Sequence, residues 1–332
     1  MTTTAVPVAT RASGFTSYDP AFEAVTGGDP VLAKVLDVEA HEGPVYVAAE
    51  DALYFTTLPR VRHEAGLEVP LVDIRRLALD GYRFPLEPAR VSVVRPQANA
   101  ANGMTLAADG ALLVCEQGSW FQPARISKVD PRTGSAVTLV DGAAGGRLNS
   151  PNDVAVRCDG TVWFTDPSYG FLQRFRPEPE SPDAVYRYDP VTGSLTVADN
   201  SFDKPNGVAF SPDGSVLYVT DSGANHEPGS FEPSRPHRVV ALDVDTAGAV
   251  RGRRVLADIS PGFPDGITTD EEGRVYVSSF SGVQVFTPEG HPLGQIDLPG
   301  AVNFTFGGAA GDVLFITTDT AVWAAVLNTR GA

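Results

Sequence analysis

The sequence predicts an all-β protein, a six-bladed β-propeller of four-stranded antiparallel blades. Three observations support this fold. A hairpin unit with a constant spacing recurs along the chain, further strands follow most copies of it, and the 332 residues include 33 glycines and 27 prolines. A turn-rich composition of this kind favours many short strands over long helices. Regular repetition is typical of propellers, in which each blade packs against its neighbours.

The repeated unit is clearest in NDVAVRCDGTVWFTD, which begins at Asn152 and turns at Asp159-Gly160. An apolar run, an Asp-Gly turn and a second apolar run form the strongest local signal for a β-hairpin. Four further copies also turn seven positions after their first residue: NGMTLAADGALLVCE from Asn102, NGVAFSPDGSVLYVTD from Asn206, DGITTDEEGRVYVSS from Asp265 and NFTFGGAAGDVLFITT from Asn303.

A weaker sixth copy, EGPVYVAAEDALYFTT, begins at Glu42 and has no glycine at its turn. Two more strands are visible after several hairpins, as in ARISKVDPRTGSAVTLV and AVYRYDPVTGSLTVAD, where an Asp-Pro-x-Thr-Gly turn separates them. The last copy ends one strand short of a complete blade. We therefore expect the apolar segment VLAKVLDV, residues 31–38, to complete that blade and close the ring.

Three stretches interrupt the repeat, at residues 56–90, 167–183 and 222–237. Segments of this length inside a compact repeat are usually either functional lids or disordered excursions. The aromatic residues Tyr169, Phe171 and Phe231 favour lids. We expect residues 1–25 to form a loose or draped N-terminal arm, and residues 26–332 to form a single propeller domain.

Charge and composition restrict the class of partner. The formal net charge is −16 and no Lys/Arg cluster offsets it, which argues against nucleic acid or an anionic membrane surface. The N-terminus does not resemble a signal peptide, and no stretch approaches the roughly 18 apolar residues of a membrane span. Cys115 and Cys158 do not suggest a disulfide framework. We expect a cytoplasmic protein with a small-molecule partner, and the sequence does not indicate its oligomeric state.

The first residues of the six hairpins predict a functional ring. In a propeller the first strand of each blade is innermost, so these residues would surround one mouth of the central channel: Glu42, Asn102, Asn152, Asn206, Asp265 and Asn303. All carry a side-chain oxygen, which suits a hard cation such as Ca²⁺. The alternative is ordinary turn and cap chemistry, since Asn or Asp before Gly is common there. Asp153 after Asn152, and a glutamate at position 42, favour a ligand role.

Several motifs resemble one known family over almost everything from about residue 35 to the end. They are EGPVY at 42–46, NGMTLAADGALLVCE at 102–116, SPNDVAVRCDGTVWFTDPSYG at 150–170, PNGVAFSPDGSVLYVTDS at 205–222, PDGI at 264–267 and TFGG at 305–308. In these motifs the chain resembles the gluconolactonase branch of the SMP-30/gluconolactonase/luciferin-regenerating-enzyme family of six-bladed propellers.

The resemblance implies one catalytic divalent cation, held by Glu42, Asn152, Asn206 and Asp265, with Asp265 also acting as general base. Ca²⁺ is the expected metal, with Zn²⁺, Mn²⁺ and Mg²⁺ as alternatives. Asn303 is expected to be structural. One departure is QGSWFQPARI after Cys115-Glu116, where many relatives have a His and an Arg-rich run. This departure concerns the substrate pocket and not the metal.

Five residues are candidates for substrate contact because they head an equivalent blade or lie in loops: Asn102, Trp120, Tyr169, Phe171 and His226. Trp163 and Trp323 lie in apolar strands and are expected to pack between blades. Asp166 and Asp221 end second strands, where we expect them to cap the following turn.

These features predict a hydrolase that opens a lactone, most specifically a sugar (aldono) lactone such as gluconolactone. The metal would act as Lewis acid, water as nucleophile and Asp265 as base. A G-x-S-x-G nucleophile motif is absent from the sequence. One alternative is an ester or phosphotriester hydrolase on the same metal site. The other is a non-catalytic ligand-binding propeller, because a fold does not by itself imply a function.

Overall fold

The computed structural model of the chain describes residues 10–79, 84–143, 146–227 and 229–332. Over these residues, six antiparallel sheets form the six predicted blades of a β-propeller, so the predicted fold is confirmed. The first strand of each blade lines the central channel, and the strands that follow it lie progressively further out.

Five blades take their four strands in chain order, from the innermost outward. Their strands are Glu42–Val47, Ala52–Thr56, Ile74–Ala78 and Val91–Arg95 in blade 1; Ala101–Leu106, Leu112–Glu116, Arg125–Val129 and Ala136–Val140 in blade 2; Val154–Val156, Val162–Asp166, Ala184–Asp189 and Ser194–Asp199 in blade 3; Pro205–Phe210, Val216–Asp221, Arg238–Val244 and Val250–Asp258 in blade 4; and Ile267–Thr269, Val275–Ser279, Gly282–Phe286 and Pro292–Asp297 in blade 5.

Blade 6 closes the ring with the start of the chain. Its first three strands are Phe304–Gly307, Val313–Thr317 and Asp319–Val326, and its outermost strand is Val31–Ala40. The N-terminal strand runs antiparallel to Asp319–Val326, with Val31 opposite Val326. The prediction that an N-terminal segment completes the last blade is therefore confirmed.

The hairpin turns form where the Asp-Gly pairs predicted them. At the turn of blade 3 the Asp159 carboxylate accepts hydrogen bonds from the backbone N–H and the hydroxyl of Thr161, and Gly160 has φ +84°. Blade 1 has no glycine at its turn, and Asp51 takes the left-handed conformation instead, with φ 42°. Asp and Asn are among the residues that tolerate this conformation best.

The interruption of the repeat predicted at residues 56–90 is shorter in the structure than the sequence suggested. It contains a separate hairpin, Arg60–Glu64 with Leu67–Leu71, and also the third strand of blade 1. The interruption was overestimated because the Arg-rich strand Ile74–Ala78 lacks a clear apolar alternation. The stretch 167–183 contains a single helical turn, Tyr169–Leu172. Residues 80–83 and 228 of the predicted interruptions lie outside the described residues.

The described part of the N-terminal arm is attached to blade 5. Strands Thr10–Ala12 and Phe15–Ser17 extend that sheet, and Phe15 pairs with Ile296 of its fourth strand. Phe15 and Phe22 are buried there. Residues 1–9 lie outside the described residues, and the division at residue 25 stays a prediction.

A few short elements complete the secondary structure: the helical turns Pro20–Phe22, Glu23–Thr26, Ala48–Glu50 and Pro88–Arg90, and the paired strands Gly142–Ala143 and Gly146–Arg147.

The hydrophobic core lies between blades. Each neighbouring pair of blades shares one cluster of buried side chains, as Trp163 of blade 3 shows by packing edge-on against Phe210 of blade 4 at 5.6 Å between ring centroids. Cys115 is buried and Cys158 is exposed, and both thiols are free. None of the helices in the described ranges is both long and apolar enough to span a membrane.

Candidate active site

The six predicted ring residues lie at one mouth of the channel. Glu42, Asn102 and Asn206 lie at the start of innermost strands, whereas Asn152, Asp265 and Asn303 precede theirs by one or two residues. Second strands end on the same face, and the loops that join second to third strands cover it. Most of the ring side chains are buried, while Asn102 and Asp265 are partly exposed.

A hydrogen bond joins each blade to the next at this level, and the six bonds run completely around the channel. Threonine hydroxyls at the ends of second strands form four of them: Thr56 to the carbonyl of Asn102 (3.3 Å), Thr165 to that of Asn206 (2.6 Å), Thr220 to that of Asp265 (2.9 Å) and Thr317 to that of His41 (2.7 Å). Glycine N–H groups form the other two: Gly103 to the carbonyl of Asn152 (2.8 Å) and Gly266 to that of Val302 (3.0 Å). Neighbouring blades therefore hold the backbone of the ring residues in place.

Gly103, Gly207 and Gly266, which follow ring residues, serve close packing and not turns, since none of them has a positive φ. A Cβ on Gly207 would lie 2.3 Å from the Asp265 carbonyl oxygen, and one on Gly103 would lie 2.4 Å from the Asp153 carboxylate. No real Cβ approaches other atoms so closely. The Asn-Gly pairs are thus required because adjacent innermost strands nearly touch at the mouth. The alternative based on turn chemistry does not explain them.

The carboxylates of Glu42, Asp153 and Asp265 lie close enough at this mouth for their charges to affect one another. Burial raises the pKa of Glu42 to about 8, and the negative charge of Asp265 contributes to the rise. Burial also raises the pKa of Asp265 to about 7, against the opposing effect of the nearby Asn206 amide, and the charge of Asp153 adds to the rise. The pKa of Asp153 is likewise raised to about 7 by burial. The charge of Asp153 thus disfavours ionisation of both Glu42 and Asp265, and the charge of Asp265 disfavours ionisation of Glu42.

Two residues of this cluster have roles that the sequence prediction did not recognise. Asn303 donates from its side-chain amide to the Glu42 carboxylate at 2.7 Å, so the residue expected to be structural orients a predicted ligand. Asp153 accepts from the N–H groups of Val154 (2.9 Å) and Val208 (3.0 Å). Asp153 occupies the position that glycine has in most other copies of the hairpin. This difference was the one feature of the sequence that could have indicated a role for Asp153.

The ring residues fit a divalent cation. No Lys or Arg of the described chain contributes a positive charge that lowers the pKa of Glu42, Asp153 or Asp265. His41 is the single basic residue that does so, and it acts on Glu42. The side-chain oxygen of Asn102 is buried and accepts no hydrogen bond from a described residue. In the described part of the chain, no three His, Cys, Asp or Glu side chains form a metal site by themselves. A cation here would therefore also need amide oxygens, as the predicted ligand set provides.

The carboxylates that end second strands position the ring residues from outside. The two oxygens of Asp166 accept from the N–H groups of Asn149 and Ser150, both at 2.8 Å. A single oxygen of Asp221 accepts from the N–H groups of Asp203 (3.1 Å) and Lys204 (3.0 Å). The expectation that they cap the following turn was wrong. They bind the segments that lead into Asn152 and Asn206, which lie beside them across the hairpin.

Two of the candidate substrate residues, Asn102 and His226, have a buried polar atom without a partner among the described residues. The hydroxyl of a third, Tyr169, lies near the side chains of Asn206 and Ser222. Tyr169 is 5% exposed, and burial together with the charge of Asp265 raises the pKa of its hydroxyl well above the usual value. Tyr169 therefore lies close to the predicted base. Trp120 and Phe171 lie further out on exposed loops, where the Trp120 ring nitrogen donates to the Arg174 carbonyl at 2.9 Å.

One buried arginine fastens these loops together. Arg176 donates to four backbone carbonyls: Leu148 (2.9 Å), Asn149 (3.0 Å), Gln122 (3.1 Å) and Ser119 (3.3 Å). It thus joins the 167–183 stretch to the loop of blade 2 and to the segment that precedes Asn152. Arg176 lies in an Arg/Pro-rich loop, and nothing in the sequence of that loop indicated that its side chain is buried.

Comparisons with known proteins agree with this architecture. Residues 40–320 match the family model described as SMP-30/Gluconolactonase/LRE-like region. The chain is 29% identical to a gluconolactonase of Zymomonas mobilis, covering 91% of this chain and 83% of the relative. It is 31% identical to the lactonohydrolase oryL of Aspergillus oryzae, covering 89% and 70% of the two chains.

Among solved structures, XC5397 of Xanthomonas campestris, described as a gluconolactonase, superposes with a TM-score of 0.76. It is 33% identical, and the match covers 98% of this chain and 99% of that one. Both the family model and the overall structure therefore match over most of the chain. The chain belongs to the SMP-30/gluconolactonase/LRE-like family.

Proposed function

We propose that the protein is a metal-dependent lactonase whose substrate is a sugar (aldono) lactone such as gluconolactone. Relatives named gluconolactonase and lactonohydrolase support lactone hydrolysis as the reaction type. The observation that carries the proposal is the neighbouring pair of carboxylates Glu42 and Asp265, which forms no ion pair with a Lys or Arg of the described chain and stands in a ring of amide oxygens.

Glu42, Asn152, Asn206 and Asp265 would hold the cation, for which Ca²⁺ is the expected identity. When bound, the cation supplies Lewis-acid polarisation of the lactone carbonyl and compensates the clustered negative charge. Asn303 would keep the Glu42 carboxylate turned toward the ring through its 2.7 Å hydrogen bond. The hydrogen bond from Thr220 holds the Asp265 backbone in register with blade 4.

Asp265 is the carboxylate that would move the proton. It takes a proton from water as the water oxygen bonds to the carbonyl carbon of the lactone. The ring C–O bond then breaks, and the same carboxyl group returns the proton to the departing alkoxide. Water is added across one ester bond and the product is an open hydroxy acid, so no side-chain nucleophile is required.

The experiment compares rates on gluconolactone and on a phosphotriester for the wild type and for two isosteric variants, Asp265→Asn and Glu42→Gln. We expect lactone hydrolysis by the wild type and a loss of at least about 100-fold in either variant. Asp37→Asn is the control, because Asp37 lies on the outermost strand of blade 6 with an exposed side chain. A higher rate on the phosphotriester would favour the alternative hydrolase, and binding without any turnover would favour a non-catalytic propeller.

A further inference from the structure

The exposed Phe and Trp side chains of the described residues all lie on one face. They are Trp120, Phe121, Phe171, Phe231 and Phe280. Each lies in the loop between the second and third strands of its blade, in blades 2 to 5. This is the face that carries the ring of Glu42 and Asp265. Scattered exposed apolar residues need no explanation, but segregation of all the large exposed rings to the active-site face does.

Three rings form a continuous cluster next to Asp265. Phe231 of the 222–237 loop lies 5.9 Å from Phe280, and Phe280 lies 5.0 Å from Phe263, both between ring centroids. Phe263 precedes Asp265 by two residues. Phe280 follows Ser278 by two residues, and the Ser278 hydroxyl accepts from the Asp265 N–H at 2.9 Å. The cluster thus begins at the predicted base and extends outward along the rim.

The outer rings of this cluster remain largely uncovered. Phe280 is 49% exposed and Phe231 is 42% exposed, although they contact each other. Exposed aromatic surface beside a buried polar centre is typical of a ligand pocket, in which apolar walls provide binding energy and a few polar groups fix orientation. A free sugar lactone carries hydroxyl groups around its edge and offers only small C–H faces, so it would cover little of these rings.

We infer that Phe231, Phe263 and Phe280 form a subsite for an apolar substituent on the lactone substrate, an alkyl or aryl group attached to the ring being opened. This inference rests on the proposed function, and it adds to it a group that a bare aldonolactone does not have. The lactone carbonyl lies at the Asp265 end of the cluster, and the substituent extends over Phe280 to Phe231.

Two series of probes test the subsite. The first is a set of δ-lactones that differ only in the length of one ring alkyl chain, from methyl to hexyl, with kcat/KM as the measured quantity. Each methylene that reaches the rings should raise kcat/KM by about threefold to fourfold. The second series consists of the matching δ-lactams, which keep the ring and its carbonyl but resist hydrolysis. Their dissociation constants, measured by calorimetry, should fall with chain length in the same proportion.

Phe231→Ala and Phe280→Ala should make kcat/KM of the lactones and the affinity of the lactams nearly independent of chain length. The factor gained per methylene should then fall toward 1. Val191→Ala is the matched control, because Val191 is 92% exposed in a turn that belongs neither to the ring nor to the aromatic cluster. This variant should retain the full chain-length dependence. Circular dichroism and light scattering confirm that the variants keep the fold and oligomeric state of the wild type.

The outcomes separate this inference from the proposed function. If no lactone is hydrolysed but lactam affinity rises with chain length, the proposed function fails and the apolar subsite stands. If lactones are hydrolysed but neither rate nor affinity depends on chain length, the inference is overturned. It is overturned as well if the phenylalanine variants change the oligomeric state, since the rings would then be an interface between copies of the chain.

Discussion

The side-chain amide of Asn303 donates a hydrogen bond to the carboxylate of Glu42 at 2.7 Å, across the junction between blade 6 and blade 1. These residues are separated by 261 positions in the sequence. Closure of the propeller by the N-terminal strand brings them together, so the ring of predicted ligands is complete only when the ring of blades is closed. The contact between Asn303 and Glu42 therefore exists only in the closed propeller.

Asn303→Ala should weaken cation binding more than it weakens the fold. Loss of the amide leaves the buried Glu42 carboxylate with only the longer hydrogen bond from the Gly43 N–H, at 3.3 Å. Removal of a partner that orients a ligand typically costs 10–100-fold in metal affinity or activity. Calorimetric titration of the metal-free protein with Ca²⁺ measures the change. Asn328→Ala is the control, because its amide donates to the Ala24 carbonyl at an exposed site. Equal affinities for the two variants would show that Asn303 does not position a ligand.

Gly207→Ala should destabilise the protein because the new Cβ would lie 2.3 Å from the Asp265 carbonyl oxygen. Backbone has to shift to relieve this overlap, at roughly 1–3 kcal/mol. Urea unfolding measures the free energy. The paired control is Gly28→Ala, since nothing lies within 4 Å of a Cβ at that position. A stability loss no larger than that of the control would contradict close packing as the reason for the Asn-Gly pairs.

Arg176→Met should loosen the loops over the site. The substitution keeps the apolar stem but leaves the buried carbonyls of Leu148 and Asn149 without this donor, at about 1–3 kcal/mol for each group left unsatisfied. Hydrogen exchange should become faster in residues 117–124 and 167–176. The exposed Arg174 serves as control through Arg174→Gln. Unchanged exchange in both segments would mean that Arg176 does not join them.

Glu116 should make the protein less stable in acid. Burial alone would raise the pKa of Glu116, but hydrogen bonds from Arg125 and Ser127 and the charge of Arg95 lower it overall. Because the folded pKa lies below the unfolded value of about 4.3, this stabilisation is complete above that pH and is lost as pH falls through the folded pKa. Urea unfolding from pH 7 down to pH 3 measures it. Glu116→Gln should have a shallower pH dependence, and an equally steep one would refute this contribution.

Much of the fold was predictable because its signals are local. A glycine marks the turn of five of the six hairpins, and the constant spacing identifies Asn152, Asn206 and Asp265 as equivalent positions. The closing strand Val31–Ala40 was predictable because the last blade lacked one strand. Periodicity of this kind is visible in a single sequence, because every blade packs against its neighbours in the same way and needs similar residues at equivalent positions.

The remaining features depend on contacts between distant segments. Nothing local distinguishes Arg176 from a surface arginine, and its burial follows from carbonyls that two other segments supply. Asp166 was expected to act on the turn that follows it, but its nearest free N–H groups lie across the hairpin at Asn149 and Ser150. The role of Asn303 depends on ring closure. These contacts are set by tertiary structure, so single-sequence patterns do not contain them.

The most direct test of the central claim is one titration. The purified protein is depleted of metal with a chelator, and gluconolactone hydrolysis is followed while Ca²⁺ is added back and bound metal is quantified. The account predicts no hydrolysis above background in the depleted protein, and recovery that is complete at one bound cation per chain and absent in Asp265→Asn. Full activity in the metal-free protein, or recovery in Asp265→Asn equal to that of the wild type, would contradict it.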